Sequence, residues 1–341
     1  MAKPLRLAFM GFRHGHVVQF HKLVEPRKDV QIVGACEEHA ETAEAVRKAG
    51  VVKLTHNNFD ELMKGTDCDA VAIGDYFARR GSLIIRALQA GKHVIVDKPI
   101  CTDLAELAEI EKLAKEKNRC VGCLFDLRDS GVYIAMRRII REGMIGEVLT
   151  VNFTAEHPLL PGSRPAWYFE PGKHGGTITD IGIHAMDLIP WVTGRQVTEC
   201  VAARVWNANL PAHPDFQDGA QMMLKMDNNG GILGDCSYVG PNGCGYQVPQ
   251  YWRLIIHGTE GVIEGRAGGN SLSLTTHKDK EPRTLPADPH TENIVLDDFL
   301  NEISGKHDAQ RVNTAGVIDA HRRVIKIQQA AEQKKTHVSL Q

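Results

Sequence analysis

Leu5-Arg6-Leu7-Ala8-Phe9-Met10-Gly11-Phe12-Arg13-His14-Gly15-His16 is a short apolar run that ends at a glycine, and Val17, Phe20, Leu23 and Val24 follow at helical spacing until Pro26 stops them. That order is strand, glycine turn, helix. The same pattern repeats downstream. Val30 to Cys36 is an apolar run ending in Glu37-Glu38, followed by a helix with Ala40, Ala43 and Val46 that Gly50 closes. Val51 to Leu54 reads as a third strand, Phe59 to Lys64 as a short helix opened by Asn58, Ala70 to Ile73 as a fourth strand, and Ala78 to Ala90 as a helix closed by Gly91. His93 to Val96 is a fifth strand. After Asp97-Lys98-Pro99, the pair Asp103 and Glu106 resembles a capping box for a helix through Lys117, and Cys120 to Phe125 is a sixth strand. Strands alternating with helices over short connections mean a doubly wound parallel sheet.

In such a sheet the first strand-to-helix turn receives a dinucleotide pyrophosphate, because free backbone N–H groups and the helix N-terminus favour an anion. The turn here, Gly11-Phe12-Arg13-His14-Gly15-His16, departs from G-x-G-x-x-G: Arg13 stands where the second glycine belongs, and Gly15 falls one residue short of the third. A purely structural turn stays open at this point. Glu37, at the end of the second strand, is the residue type that accepts hydrogen bonds from ribose hydroxyls and repels a 2′-phosphate, which favours NAD over NADP.

The chain has 341 residues, more than the roughly 250 to 300 at which a single core stops growing, so two domains are expected. The pattern changes near residue 126. A helix carries Val132, Met136, Ile139 and Ile140, then Val148 to Ala155 alternates as a strand with two unlike faces. Val201–Trp206, Gly219–Met226, Gly231–Tyr238, Arg253–His257 and Ser271–Thr276 follow with little helix between them, which means a large, mostly antiparallel open sheet. Ile294–Ser304 and Thr314–Lys334 read as closing helices. The expected division is a nucleotide-binding domain over 1–125 and an α/β substrate and oligomerisation domain over 126–341. An open sheet with one uncovered apolar face is most simply covered by another copy, so a homodimer or homotetramer is expected.

A net charge of −2 with interspersed signs gives no basic stripe, which argues against nucleic acid or an anionic membrane as partner. Neither a signal peptide nor an apolar run of membrane-spanning length is evident, and eight scattered cysteines suit reduced thiols, so a cytoplasmic location is expected.

The chemistry-bearing stretch of the second half is Gly175-Gly176-Thr177-Ile178-Thr179-Asp180-Ile181-Gly182-Ile183-His184-Ala185-Met186-Asp187. Read as a helix entered through small residues, it sets Asp180 and His184 at i and i+4 on one face, a carboxylate beside an imidazole. Such a pair suits a general base near neutral pH, and it is equally what an ordinary polar helix face carries. Asp180, His184 and Asp187 together also have the donor types of a divalent-metal site, a minor alternative; no metal is assigned.

The nucleotide turn, Asp97-Lys98-Pro99 after a strand, and Gly175-Gly176-x3-Asp180-x-Gly182-x-His184-x2-Asp187 together resemble the Gfo/Idh/MocA oxidoreductases, relatives of glucose-fructose oxidoreductase and inositol 2-dehydrogenase. Gly91-Lys92-His93-Val94, Gly143-Met144-Ile145-Gly146-Glu147-Val148 and His257-Gly258-Thr259-Glu260-Gly261 extend the likeness nearly end to end. The resemblance implies that Lys98 lies near the nicotinamide and the substrate, that Lys98 and His184 handle the proton of a reacting carbinol, and that Asp180 positions the substrate or the histidine. It implies a cofactor site drawn from Gly11, Phe12, Arg13, His14, Gly15, Glu37, Asp75, Lys98 and Pro99. It implies a substrate site drawn from Lys98, Trp167, Tyr168, His174, Asp180 and His184, with His157, Arg164 and Lys173 nearby. Three departures bear on substrate: Asp75-Tyr76-Phe77 replaces the common Thr-Pro-Asn, Arg79-Arg80 stand near a usual histidine, and Phe125-Asp126 replace a basic pair. The activity implied is NAD-dependent hydride transfer from a secondary carbinol of a sugar, polyol or glycoside. The alternatives are a lyase or glycoside-cleaving enzyme with retained NAD, and a non-catalytic NAD-sensing regulator.

Overall fold

The computed structural model describes residues 3–292, 294–306, 308 and 310–341, and the chain separates into two compact units. The first comprises Met1–Leu124, Gly172–Gly175 and Val295–Ile318; the second comprises Phe125–Pro171, Gly176–Ile294 and Asp319–Gln341.

In the first unit β1 (Leu5–Met10), α1 (Gly15–Val24), β2 (Val30–Cys36), α2 (Ala40–Ala49), α3 (Phe59–Gly65), β3 (Ala70–Ile73), α4 (Phe77–Gln89), β4 (His93–Val96), α5 (Leu104–Lys117) and β5 (Val121–Cys123) alternate as expected. The strands form one parallel sheet in the order β2-β1-β3-β4-β5. β3 is buried throughout, because helices cover both faces of a parallel sheet and leave no wet side for polar residues. The local signals work as read: Asn58 accepts the Glu61 N–H, Asp103 accepts those of Ala105 and Glu106, and Gly50 ends α2 at φ +66°.

One expected strand is missing. Val51–Leu54 forms none, and β2 is the sheet edge. After Gly50 it is Thr55 and His56 that reach that edge: both backbone N–H groups donate to Ala35 O, the Thr55 hydroxyl takes the Ala35 N–H, and Cys36 and His56 form an isolated bridge. Lys98–Pro99 is a cis peptide.

The expected boundary also shifts, because Val295–Ile318 belongs to the first unit rather than the second. The Phe299 ring meets His93 edge-on, Arg27 reaches Asp297, and the Thr314 hydroxyl accepts the Val121 N–H at the end strand of the parallel sheet. The last of these satisfies a backbone N–H on the sheet's edge strand.

The second unit contains α6 (Gly131–Arg141), β6 (Val148–Pro158), α7 (Ile183–Thr193), β7 (Val197–Trp206), β8 (Gly219–Met226), β9 (Gly231–Gly240), β10 (Arg253–Gly258), β11 (Gly261–Arg266), β12 (Ser271–Thr276) and β13 (Arg283–Pro286). The closing helices are α8 (Ile294–Ile303) and α9 (Thr314–Glu332), each spanning both units, and β14 (Val338–Ser339) ends the chain. The nine-stranded sheet runs β13-β12-β11-β10-β6-β9-β8-β7-β14, with β6 and β9 parallel and the other pairs antiparallel. In β8 and β9, Met222, Leu224, Ile232 and Cys236 point into the core, while Met223 and Leu233, paired in register, remain about half exposed. Among the described residues no helix is long and apolar enough to cross a membrane, and all eight cysteines are free.

Candidate active site

Each unit carries part of the residue set expected from the sequence. In the first, Gly11 follows β1 at φ +83°, and a Cβ there would lie 2.9 Å from the Asp75 backbone nitrogen, so only glycine lets the two strand ends come this close. Gly15 opens α1 with free space about its Cα, and no acidic residue sits in the first helical turn. Glu37 is buried and accepts the Phe12 N–H at 2.6 Å and the His39 N–H at 2.7 Å, one on each oxygen. Burial pushes its pKa up, opposed by those two donors. A carboxylate offers about four acceptor positions, so two remain for hydroxyl donors.

Asp75 is fully buried, takes Arg79 Nη1 at 2.7 Å and lies 3.5 Å from Arg13. Arg79 also pairs with Glu38. Burial raises the Glu38 pKa, but the Phe59 N–H and Arg79 outweigh it, and the group stays below its ordinary value.

The segment carrying Lys98 is built around a residue the sequence did not single out for this role. Arg80 is fully buried and donates through Nη1 to the carbonyls of Asp97, Lys98 and Pro99 at 2.8, 2.7 and 3.0 Å, through Nη2 to Asp97 Oδ2 at 2.7 Å, and through Nε to Asp75 O at 2.7 Å. One guanidinium thus fixes the backbone on both sides of the buried Lys98. Burial alone would raise the Asp97 pKa; Arg80, then His14 and His16, hold it well below the carboxylate range. His14 Nδ1 lies 2.8 Å from Asp97 Oδ2 and His16 Nδ1 3.1 Å from Oδ1, and burial lowers the His14 pKa to about 4 in spite of that neighbour. The ligand atoms of His14, His16 and Asp97 lie within 4.8 Å of one another, but Arg80 already supplies the positive charge on Asp97. His174 lies 5.4 Å from Phe77 with the rings tilted, and the other neighbours of Phe77 include His14 and Arg80.

In the second unit the expected helix begins differently. Ile178–Gly182 is one π-helical turn, and the α-helix starts only at Ile183. Gly176, at φ +93°, packs against Gln328, whose amide oxygen accepts the N–H groups of Ile178 and Thr179. Anchored there by a side chain, the turn is free to widen, and π turns are common where function requires one. The i, i+4 relation of an ideal α-helix is therefore not the geometry of Asp180 and His184. Asp180 accepts the Tyr238 hydroxyl from β9. His184 sits edge-on to Trp252 at 5.4 Å and to Phe125 at 6.5 Å, with Nε2 3.8 Å from Asp126 Oδ1. Both are buried. Asp187 is gripped through both oxygens by Arg128, which occupies the donors a third metal ligand would need. Trp167 and Tyr168 are buried with ring centroids 4.5 Å apart, and Arg164 lies over the Tyr168 ring.

The sequence reading gave no role to Tyr238 or Gln328, quoted Asp97 only as part of a motif, and singled out Arg80 only as a departure bearing on substrate. A charged residue inside the apolar spacing of α4 was the available signal for Arg80; Tyr238 and Gln328 gave none, because tertiary packing alone brings them to the π turn.

Residues 5–125 match the oxidoreductase family described by its NAD-binding Rossmann fold, and residues 133–264 match the GFO/IDH/MocA C-terminal domain. The chain is 29% identical over 296 residues to 1,5-anhydro-D-fructose reductase from Ensifer adhaerens, covering 84% of this chain and 85% of that one. It is 26% identical over 268 residues to scyllo-inositol 2-dehydrogenase (NAD(+)) from Bacillus subtilis, covering 77% and 74%. Among solved structures, an inositol dehydrogenase homolog from Azotobacter vinelandii complexed with NAD+ superposes with a TM-score of 0.83 at 17% identity, over 99% of this chain and 98% of that one.

Proposed function

We propose, from the premise that this chain belongs to the Gfo/Idh/MocA oxidoreductase family and binds NAD, that it is a dehydrogenase acting on a secondary carbinol of a sugar, polyol or glycoside. NAD, when bound, takes up or returns the hydride. The residues fit that cofactor: Gly11 permits close approach, the first turn of α1 is free of acid, and Glu37 keeps acceptor positions for ribose hydroxyls. Gly11, Phe12, Arg13, His14 and Gly15 would hold the pyrophosphate, Glu37 the ribose, and Asp75, Lys98 and Pro99 the nicotinamide side.

The observation that carries the reading is that the second unit sets a buried imidazole, His184, against aromatic rings and a buried carboxylate, Asp180, under the Tyr238 hydroxyl. Rings of this kind stack on the C–H face of a sugar while the polar pair addresses its hydroxyls. His184 takes the carbinol proton, Lys98 hydrogen-bonds the oxygen, and Asp180, held by Tyr238, orients the substrate or the imidazole; Trp167, Tyr168 and His174 line the substrate. The enzyme works as a homodimer or homotetramer joined through the exposed Met223 and Leu233 face. Incubating the protein with NAD and a panel of polyols, aldoses and methyl glycosides tests the activity. NADH accumulating with at least one of them is expected, and none across the panel, with NAD binding verified, would overturn the assignment.

A further inference from the structure

β6 and β9 are parallel neighbours, so the loops that leave them emerge together at the same edge of the sheet. They are tied to each other. The Leu160 N–H donates to Asn242 Oδ1 at 2.7 Å, and Arg164 Nη2 donates to the Tyr246 hydroxyl at 3.0 Å. Arg164 is held further by two carbonyls, Leu159 O through Nε and Pro158 O through Nη2, both at 3.1 Å. Its guanidinium lies 5.3 Å from the centre of the Tyr168 ring and 5.6 Å from that of Tyr238, the tyrosine whose hydroxyl is on Asp180. Asp180 is among the charges that act on it.

Counting donors shows what is left over. Nε and both protons of Nη2 are committed, whereas among the described residues Nη1, with two N–H groups, has no acceptor and the side chain has no carboxylate within ion-pair distance. A half-buried guanidinium between two rings and fixed by three hydrogen bonds has already lost its rotamer freedom and much of its water. Without an anion it leaves part of its charge uncompensated. An anionic carboxylate oxygen accepts from the remaining Nη1 N–H groups in charge-assisted hydrogen bonds, which are stronger than those a neutral hydroxyl accepts.

We propose that Arg164, clamped by Tyr246, is a specificity-determining residue that binds a carboxylate of the substrate through Nη1, so that the sugar is a sugar acid of the uronate type. The proposal rests on the dehydrogenase reading only in placing substrate beside Asp180.

The test compares methyl β-D-glucuronide with methyl β-D-glucoside, and D-galacturonate with D-galactose, for NAD-dependent turnover and for calorimetric binding to the enzyme–NAD complex. The wild type is expected to prefer each acid at least tenfold in kcat/KM. Arg164→Gln should lower kcat/KM and affinity for the acids by roughly 10-fold to 100-fold, the range of a charge-assisted hydrogen bond, while the neutral partners change no more than about threefold. Tyr246→Phe keeps the charge but loosens the clamp, and should cost the acids alone a few-fold. Equal preference for acid and neutral sugar in the wild type, or equal losses on both in Arg164→Gln, would overturn the proposal. Acids that bind in an Arg164-dependent manner without turnover support the subsite and count against the dehydrogenase reading alone; turnover of neutral sugars only does the reverse.

Discussion

Arg128 binds both carboxylate oxygens of Asp187, Nε to Oδ2 at 2.9 Å and Nη2 to Oδ1 at 2.6 Å, with both side chains out of water. Removing one partner of a buried ion pair strands the other, which typically costs about 3 to 5 kcal/mol. Arg128→Ala should therefore lower the unfolding free energy by roughly that amount in urea titrations. Because the pair is structural, dialysis against a chelator should leave wild-type activity unchanged. Loss of activity that zinc or manganese restores would return Asp187 to the list of metal ligands.

The second expectation concerns pH. His93 Nδ1 accepts the Cys120 N–H at 3.0 Å, and burial, followed by the Arg119 charge, lowers its pKa to about 4. An imidazole whose pKa is depressed by folding is neutral in the folded state, so its contribution is complete above the unfolded value near 6.5, shrinks as pH falls, and is gone at about 4. Melting temperatures measured from pH 7 to pH 4 should fall in the wild type and fall less steeply in His93→Gln. Parallel curves for the two proteins would show that His93 is not one of the groups responsible.

The parallel sheet was legible because its signals are local: apolar runs, glycine stops, and caps such as Asn58 and Asp103 act over three or four residues. Val51–Leu54 misled for the same reason. It has strand composition, but Thr55 and His56 take up the hydrogen bonds at the edge of β2. Asp180 and His184 were visible as residue types, yet the π turn between them depends on Gln328, some 150 positions away, which no local pattern encodes. Arg80 is the sharpest case. Beside Arg79, which bridges Glu38 and the buried Asp75, it stood out in the sequence only as a departure near a usual histidine; it is the buried hub of the Lys98 segment.

Cofactor choice follows from charge at the end of β2. Glu37 and Glu38 oppose a 2′-phosphate, and of the cations nearby Arg79 is paired with Glu38 and Asp75 while Arg13 lies 3.5 Å from Asp75. NAD should bind at least tenfold more tightly than NADP, about 1.4 kcal/mol, in titration calorimetry. Equal or reversed affinities would remove Glu37 from its role.

Assembly is expected to bury the face on which Met223 and Leu233 are 48% and 52% exposed. Light scattering should give a dimer or tetramer at micromolar concentration, and Leu233→Asp, which strands a charge in that contact, should shift the population toward a 37.6 kDa monomer. A wild-type monomer would count directly against this surface.

The last expectation separates the roles of the proton-handling residues. Oxidising a carbinol releases a proton, and a base that accepts it must reach the hydroxyl, about 2.6 to 3.2 Å away. If His184 is that base, His184→Ala should lower kcat by roughly 10²-fold to 10⁴-fold while NAD affinity stays within a few-fold. Lys98→Ala should do comparable damage, and the double variant should lose much less than the product of the two, because groups acting on one oxygen fail together. Tyr238→Phe leaves Asp180 without its hydroxyl donor and should produce a smaller kcat loss, about tenfold, that Asp180→Asn does not add to. A His184→Ala enzyme that keeps its turnover would pass the base role to Lys98. Near wild-type turnover in both single variants would move the chemistry away from these residues altogether.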